Sequence, residues 1–249
     1  MDLQLQGKHA VVTGSTAGIG FAIARRLAAE GALVTINGRT QAAVDTALTK
    51  LRAGQPEADV RGVAADLGNA VGCAALAAAL GARGADILVN NLGIFDPKPF
   101  EAIGDDDWQR FFDINVMSGV RLARALLPGM VERNWGRIVN FSGMNSIAGY
   151  ADRPAVSVAK HGAWGLTKVL AKEFAPKGIT ANIISPGPIA PDEGSPPSMV
   201  AHIQAMASRV PAGRLGTPDE IAAMVGLLVS DDGAFINGQM LQVNGAAQT

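Results

Sequence analysis

Short apolar runs of strand length alternate with helical segments along the whole chain, and this alternation constrains the fold more than any other feature. Residues 9–13 form an apolar run that stops at Gly14, and residues 18–30 then carry Ile19, Ala22, Ile23 and Leu27 at helical spacing. Further strand-length runs fall at 32–36, 60–64, 86–89, 137–141, 180–184 and 239–243. Helical stretches lie between them at about 40–53, 69–82, 105–133, 155–176 and 218–230. Continuous apolar strands separated by helices predict a parallel sheet covered on both faces. Crossover handedness then makes it a doubly wound α/β sheet. No linker rich in Pro, Gly or Ser divides the 249 residues, so a single domain is expected.

Composition narrows the partners. Hydrophobic residues make up 48% of the chain and charged residues 17%, enough apolar material for a sizeable core and too little charge for a disordered chain. The formal net charge of −1 gives no reason to expect nucleic acid or an anionic membrane as a partner. Cys73 stands alone, with no second cysteine for a disulfide and no Cys and His neighbours for zinc. The first eight residues carry no basic stretch leading into an apolar run, and no run of about 18 apolar residues occurs. The cytoplasm is the expected location.

Between the first strand and first helix lies Thr13-Gly14-Ser15-Thr16-Ala17-Gly18-Ile19-Gly20. Gly14 permits a tight turn, Gly18 a close approach of the backbone to a pyrophosphate, and Gly20 close helix–strand contact. The helix N-terminus adds free N–H groups and partial positive charge. These features predict a Rossmann-type dinucleotide site, with Ser15, Thr16 and Ile19 completing the loop's contact set. Five prolines punctuate residues 185–199, directly after a strand. Ligands of open α/β sheets bind at the carboxyl ends of strands. A substrate lid is therefore expected at about 188–212.

The spacing Gly-x-x-x-Gly-x-Gly resembles the cofactor loop of short-chain dehydrogenase/reductases, and the likeness covers essentially the whole chain. Asn90-Asn91-Leu92-Gly93 resembles that family's Asn-Asn-Ala-Gly segment, with Leu92 in the alanine place. Asn115, in Asp113-Ile114-Asn115-Val116, matches its active-site asparagine, and Pro186-Gly187 its Pro-Gly turn beside the nicotinamide. Residues 214–222 and 236–239 match its C-terminal signatures. The resemblance implies that Asp66 and Leu67 meet the adenine, and that Asn91, Gly93, Lys160, Pro186, Gly187 and Ile189 also bind cofactor. It also implies a homo-oligomer, dimer or tetramer. Pro191 departs from the Thr or Ser usual after the Pro-Gly turn, which weakens one expected cofactor contact.

The second strand ends Ile36-Asn37-Gly38-Arg39. An NAD site usually places a carboxylate where Gly38 stands. A guanidinium at Arg39 suits a 2′-phosphate. NADP(H) is expected rather than NAD(H).

In that family a Ser, a Tyr and a Lys sit by the nicotinamide, the last two four residues apart on one helical face. The lysine's charge lowers the tyrosine pKa, the tyrosine moves the proton, and the serine steadies the substrate oxygen. Lys160 matches the lysine. Val156 stands in the tyrosine place and Gly143 in the serine place, thirteen residues earlier. Ser142 adjoins the latter, so the expected catalytic set is Asn115, Lys160 and Ser142. The single tyrosine, Tyr150, lies six residues before Val156, off its helical face, with a packing role expected over that of substitute acid. His161 points about 100° away from Lys160 around the helix. Asn145, Asp152 and Arg153 sit on the loop before the helix. Ile94, Phe95, Met144, Tyr150, Val156, Ile189 and Met199 are the candidate lining of an apolar substrate pocket. Three functions follow: an NADP(H)-dependent oxidoreductase acting on a carbonyl or alcohol with an atypical proton donor, a cofactor-holding protein without turnover, or a silent subunit paired with an active homologue.

Overall fold

Seven parallel strands form one sheet among the described residues of this computed structural model, which are 2–192, 195 and 197–248. They are β1 (His9–Val12), β2 (Leu33–Gly38), β3 (Val60–Ala64), β4 (Ile87–Asn90), β5 (Gly136–Phe141), β6 (Ile179–Pro186) and β7 (Met240–Val243). Their order is β3-β2-β1-β4-β5-β6-β7, every neighbouring pair parallel. The order reverses between β1 and β4, which opens a crevice at the carboxyl ends of those strands.

Helices cover both faces, as the alternation predicts. On one side α1 (Gly18–Ala29), α2 (Gln41–Gly54) and α9 (Pro218–Val229) bury Ile23, Leu27, Val44, Leu51, Val225 and Leu228 against the sheet. On the other, α3 (Ala70–Ala79), α5 (Ser118–Glu132) and α7 (Pro154–Phe174) bury Leu76, Leu122, Leu126, Met130 and Leu170. The inner strands β1, β5 and β6 are almost wholly buried, which is why they read as continuous apolar runs, whereas the edge strands β3 and β7 are only partly covered. Cys73 belongs to the second layer, its Sγ turned to the Leu67 carbonyl at 3.4 Å.

Three elements differ from expectation. The helix expected over 105–133 is interrupted: α4 (Asp105–Phe112) and α5 are joined by a π turn over Asp113–Met117 that carries Asn115. An apolar period cannot register one extra residue per turn, and such turns cluster at functional sites. A short helix α6 (Asn145–Ala148) stands where a loop is expected. Within the span expected to be a lid, residues 188–212, a helix α8 (Pro197–Met206) forms, with proline in its first turn, where its missing N–H is harmless. Of the lid prolines, Pro196 lies outside the described residues.

Candidate functional site

The glycine loop is braced from beneath. Gly14 and Gly18 hold φ of 57° and 58°, the left-handed region that glycine enters freely. A Cβ on Gly20 would fall 2.5 Å from the Gly14 carbonyl oxygen and 2.6 Å from Asn91 Nδ2. Asn91 Nδ2 donates to the carbonyls of Thr13 and Gly14 at 3.1 and 2.9 Å. Ser15 is fully buried; its hydroxyl donates to the Val12 carbonyl at 2.6 Å and accepts from the Asn37 amide at 2.9 Å. The Ser15 side chain thus holds the loop's shape. No side chain at the Ala17 N-cap satisfies the first amides of α1, and the Gly18 N–H instead donates to the Asp192 carboxylate of the lid.

Above this loop opens a cleft of about 420 Å³, lined by Gly18, Ile19, Asn91, Leu92, Phe95 and Ile189 among others. A neighbouring cavity of about 140 Å³ lies between Gly14, Thr16, Gly38, Arg39 and Leu67. Both have the character of a dinucleotide cradle: backbone and small side chains where phosphates and sugars would lie, and an apolar slot at Leu67. Asp66 does not line that slot; its carboxylate accepts from the Gly68 amide at 3.1 Å and from Asn69 Nδ2 at 3.5 Å, at the entry to α3. A Cβ on Gly38 would lie 2.5 Å from Thr16 Cγ2, so a carboxylate at this position would have to displace Thr16. Arg39 is exposed beside it and has no ion-pair partner among the described residues.

At the other end of the cleft, Asn115 and Lys160 converge. A Cβ on Gly93 would lie 2.9 Å from Asn115 Oδ1 and 3.1 Å from Lys160 Nζ, so only glycine leaves both groups in place. Asn115 accepts from the Ile94 amide at 3.2 Å and donates to the Phe111 carbonyl at 3.0 Å, fixing its orientation within the π turn. Lys160 is 1% exposed, donates to the Phe141 carbonyl at 2.9 Å, and stands 5.1 Å from the centre of the Phe95 ring. Burial alone pulls its pKa down from 10.5 to about 8. Pro186 closes β6, and the Gly187 amide donates to the Val243 carbonyl at 3.0 Å. A Cβ on Gly187 would meet Asn244 Cα at 2.6 Å. Ile189 and its neighbours clamp the lid to Gly216 through Ala190 N–H to Gly216 O, 2.8 Å, and Gly216 N–H to Pro188 O, 3.0 Å.

The structure does not gather every expected residue. Val156 is wholly buried with Phe111 and Ala155, flanked by Ile94, Ile103 and Trp108. Ser142 is 2% exposed; its amide donates to the Ile184 carbonyl at 2.8 Å and its hydroxyl to the Gly143 carbonyl at 3.4 Å. A Cβ on Gly143 meets nothing within 4 Å. Tyr150 precedes α7 and lies outside the cleft lining. The exposed His161 ring contacts the Ser157 carbonyl at 2.8 Å. Asp152 accepts the Lys98 amide through its carbonyl at 2.9 Å. The side chains of Asn145 and Met199 lie outside the described set. Sequence reasoning missed Asp192, Asn37 and Ile203. Asn37 and Asp192 carry no motif, and Ile203 faces the cleft from a helix that was itself missed.

A family model described as enoyl-(acyl carrier protein) reductase matches residues 14–246. The chain is 36% identical over 258 residues to D-beta-hydroxybutyrate dehydrogenase of Cupriavidus necator, covering 97% of this chain and 98% of that protein. It is 35% identical over 245 residues to the 3-oxoacyl-[acyl-carrier-protein] reductase FabG of Vibrio cholerae, covering 98% of each. L-sorbose reductase from Gluconobacter frateurii, solved in complex with NADPH and L-sorbose, matches with a TM-score of 0.93 at 30% identity, over 100% of this chain and 99% of that one.

Proposed function

Because this chain belongs to the short-chain dehydrogenase/reductase family, we propose that it is an NADP(H)-dependent oxidoreductase that transfers hydride without that family's serine and tyrosine. The observation that carries the cofactor choice is the pairing of Gly38 with Arg39. A carboxylate at Gly38 to hold two ribose hydroxyls would have to displace Thr16, and Arg39, with no ion-pair partner among the described residues, offers its guanidinium to a 2′-phosphate. Relatives solved with NADPH support the same choice.

When bound, the reduced nicotinamide supplies the hydride. The chain's own residues do the rest. The amides of the glycine loop and of the first turn of α1 hold the phosphates. Gly93 lines the cleft and leaves room behind it for Asn115 and Lys160. Asn115, held by two backbone partners, keeps the π turn open. Val156 has no ionisable proton and Gly143 no hydroxyl. Reduction of a carbonyl therefore draws its proton from water and forgoes acid–base help of about 10² to 10⁴-fold.

Initial rates with NADPH and NADH over a panel of carbonyls and alcohols test this reading, together with Arg39→Glu. Losing a charge-assisted contact should raise KM for NADPH about 10- to 100-fold and leave NADH nearly unchanged. A variant that uses both cofactors as the parent does would remove Arg39 from the site. A second reading, cofactor binding without turnover, draws support from the apolar burial of Val156. NADPH binding combined with flat rates on every substrate class would favour it.

A further inference from the structure

Among the described residues that line the cleft, none next to Gly93 and Phe95 carries an ionisable proton. Phe111, Ile94, Ile103 and Trp108 close around Val156. Lys160 does not line the cleft; its Nζ is turned to the Phe141 carbonyl and lies under the Phe95 ring. Asp192 is the only ionisable side chain among the described lining residues, and it sits at the far end on the Gly18 amide. What the cleft does offer is an aromatic ring, Phe95, 46% exposed, with Leu92, Ile189 and Ile203 among the other lining residues.

Reducing C=O requires a hydride and a proton, because oxygen otherwise leaves the step as an alkoxide. Reducing C=N⁺ requires a hydride alone. The new C–H bond forms with the hydride, the π pair of the C=N bond withdraws onto nitrogen, and a neutral amine results. The dihydronicotinamide is oxidised, the iminium carbon is reduced, and no proton changes hands. Resting on the NADP(H) reading above, we propose that this cleft serves a small cyclic iminium cation with an apolar frame. The cation gains from the Phe95 face, an attraction of the kind that aromatic cages apply to quaternary ammonium groups. The hydrocarbon frame packs against Leu92, Ile189 and Ile203. The one ionisable side chain among the described lining residues, Asp192, is an acid at the far end, and the buried Lys160 ammonium, 5.1 Å from the centre of the Phe95 ring, opposes part of the attraction to that ring.

Two measurements on the full chain test this. In the first, calorimetry follows binding of N,N-dimethylpyrrolidinium, a saturated stand-in that cannot react, against cyclopentanone. The cation should bind at least about fivefold tighter, and Phe95→Leu should remove that preference. In the second, NADPH oxidation is followed with N-methylpyrrolinium and with cyclopentanone, the uncatalysed background subtracted. The iminium should be favoured in kcat/KM by about 100-fold or more. Equal or better turnover of the ketone would overturn the proposal, as would NADPH binding without iminium turnover or a cation preference that survives Phe95→Leu. Failure of NADPH to bind would sink the cofactor reading, and the calorimetric comparison, which needs no cofactor, would still judge the iminium pocket by itself.

Discussion

Lys160 is held against its own solvation. Moving an ammonium from its ordinary pKa of 10.5 to about 8 corresponds to roughly 3 kcal/mol at about 1.4 kcal/mol per pH unit. The unfolded chain keeps this proton up to its ordinary pKa, whereas the folded chain releases it near 8. The penalty is therefore fully present below the folded value and disappears as pH rises toward the unfolded one. Lys160→Met should raise stability to urea at neutral pH by about 2 kcal/mol while weakening NADPH binding, the trade expected of a functional buried charge. A variant that loses stability would mean the Phe141 hydrogen bond outweighs desolvation. Gly143 and Val156 invite the reverse experiment. A serine enters open space at Gly143, but a tyrosine at Val156 must displace Phe111 or Trp108. Gly143→Ser with Val156→Tyr should raise ketone reduction by about tenfold or more, at a stability loss of about 1–3 kcal/mol in thermal unfolding. The sequence made the presence of Lys160 and Asn115 legible through spacing and resemblance. It could not show that Phe95 covers Lys160 or that Val156 is sealed, because both facts depend on packing between segments far apart in the chain.

At the scale of elements, the lid and the π turn decide how the cleft works. Five prolines led to the expectation of a lid at about 188–212, and the structure ties that segment to Gly216 at Ile189. Its acidic residue was not foreseen: Asp192 reaches back to the Gly18 amide, one of the donors a pyrophosphate needs. A carboxylate there would compete with the phosphates of a bound dinucleotide. Asp192→Asn should therefore tighten NADPH binding by about three- to tenfold in a direct titration, since an amide oxygen is a weaker competitor than a carboxylate. Unchanged or weaker binding would show that Asp192 stays clear of the phosphates once the cofactor enters. The π turn was illegible for a different reason. The buried Phe111 and Val116 stand five residues apart, and a single gap of that length between two helical stretches is too little for an apolar pattern to mark as a π turn.

Across the whole molecule, the parallel sheet and its two-sided helix cover were legible, because buried parallel strands carry their burial in their composition, whereas the order of the strands was not read from the sequence. The end of the sheet opposite the cleft holds a buried polar cluster that the sequence did not mark. His9 contacts the Gly84 carbonyl and Thr35 Oγ1, each at 2.8 Å, and its amide donates to Asp86. Burial holds the His9 pKa below 6.5, against the raising effect of Gly84 and Asp86. The unfolded chain then takes up a proton that the folded chain refuses, so stability should fall as pH drops below 6.5. Thermal unfolding of the parent and of His9→Gln across that range checks this; the variant should lose less than the parent on acidification. The central claim concerns the other end: a dinucleotide cradle keyed to a 2′-phosphate. The most direct measurement is thermal unfolding with NADPH, NADP⁺, NADH and NAD⁺ added separately. At about 100 times its Kd a ligand stabilises by about 2.7 kcal/mol, so a clear upward shift is expected with the two phosphorylated forms and little with the others. Equal shifts with NADH and NAD⁺, or none with any of the four, would contradict the account.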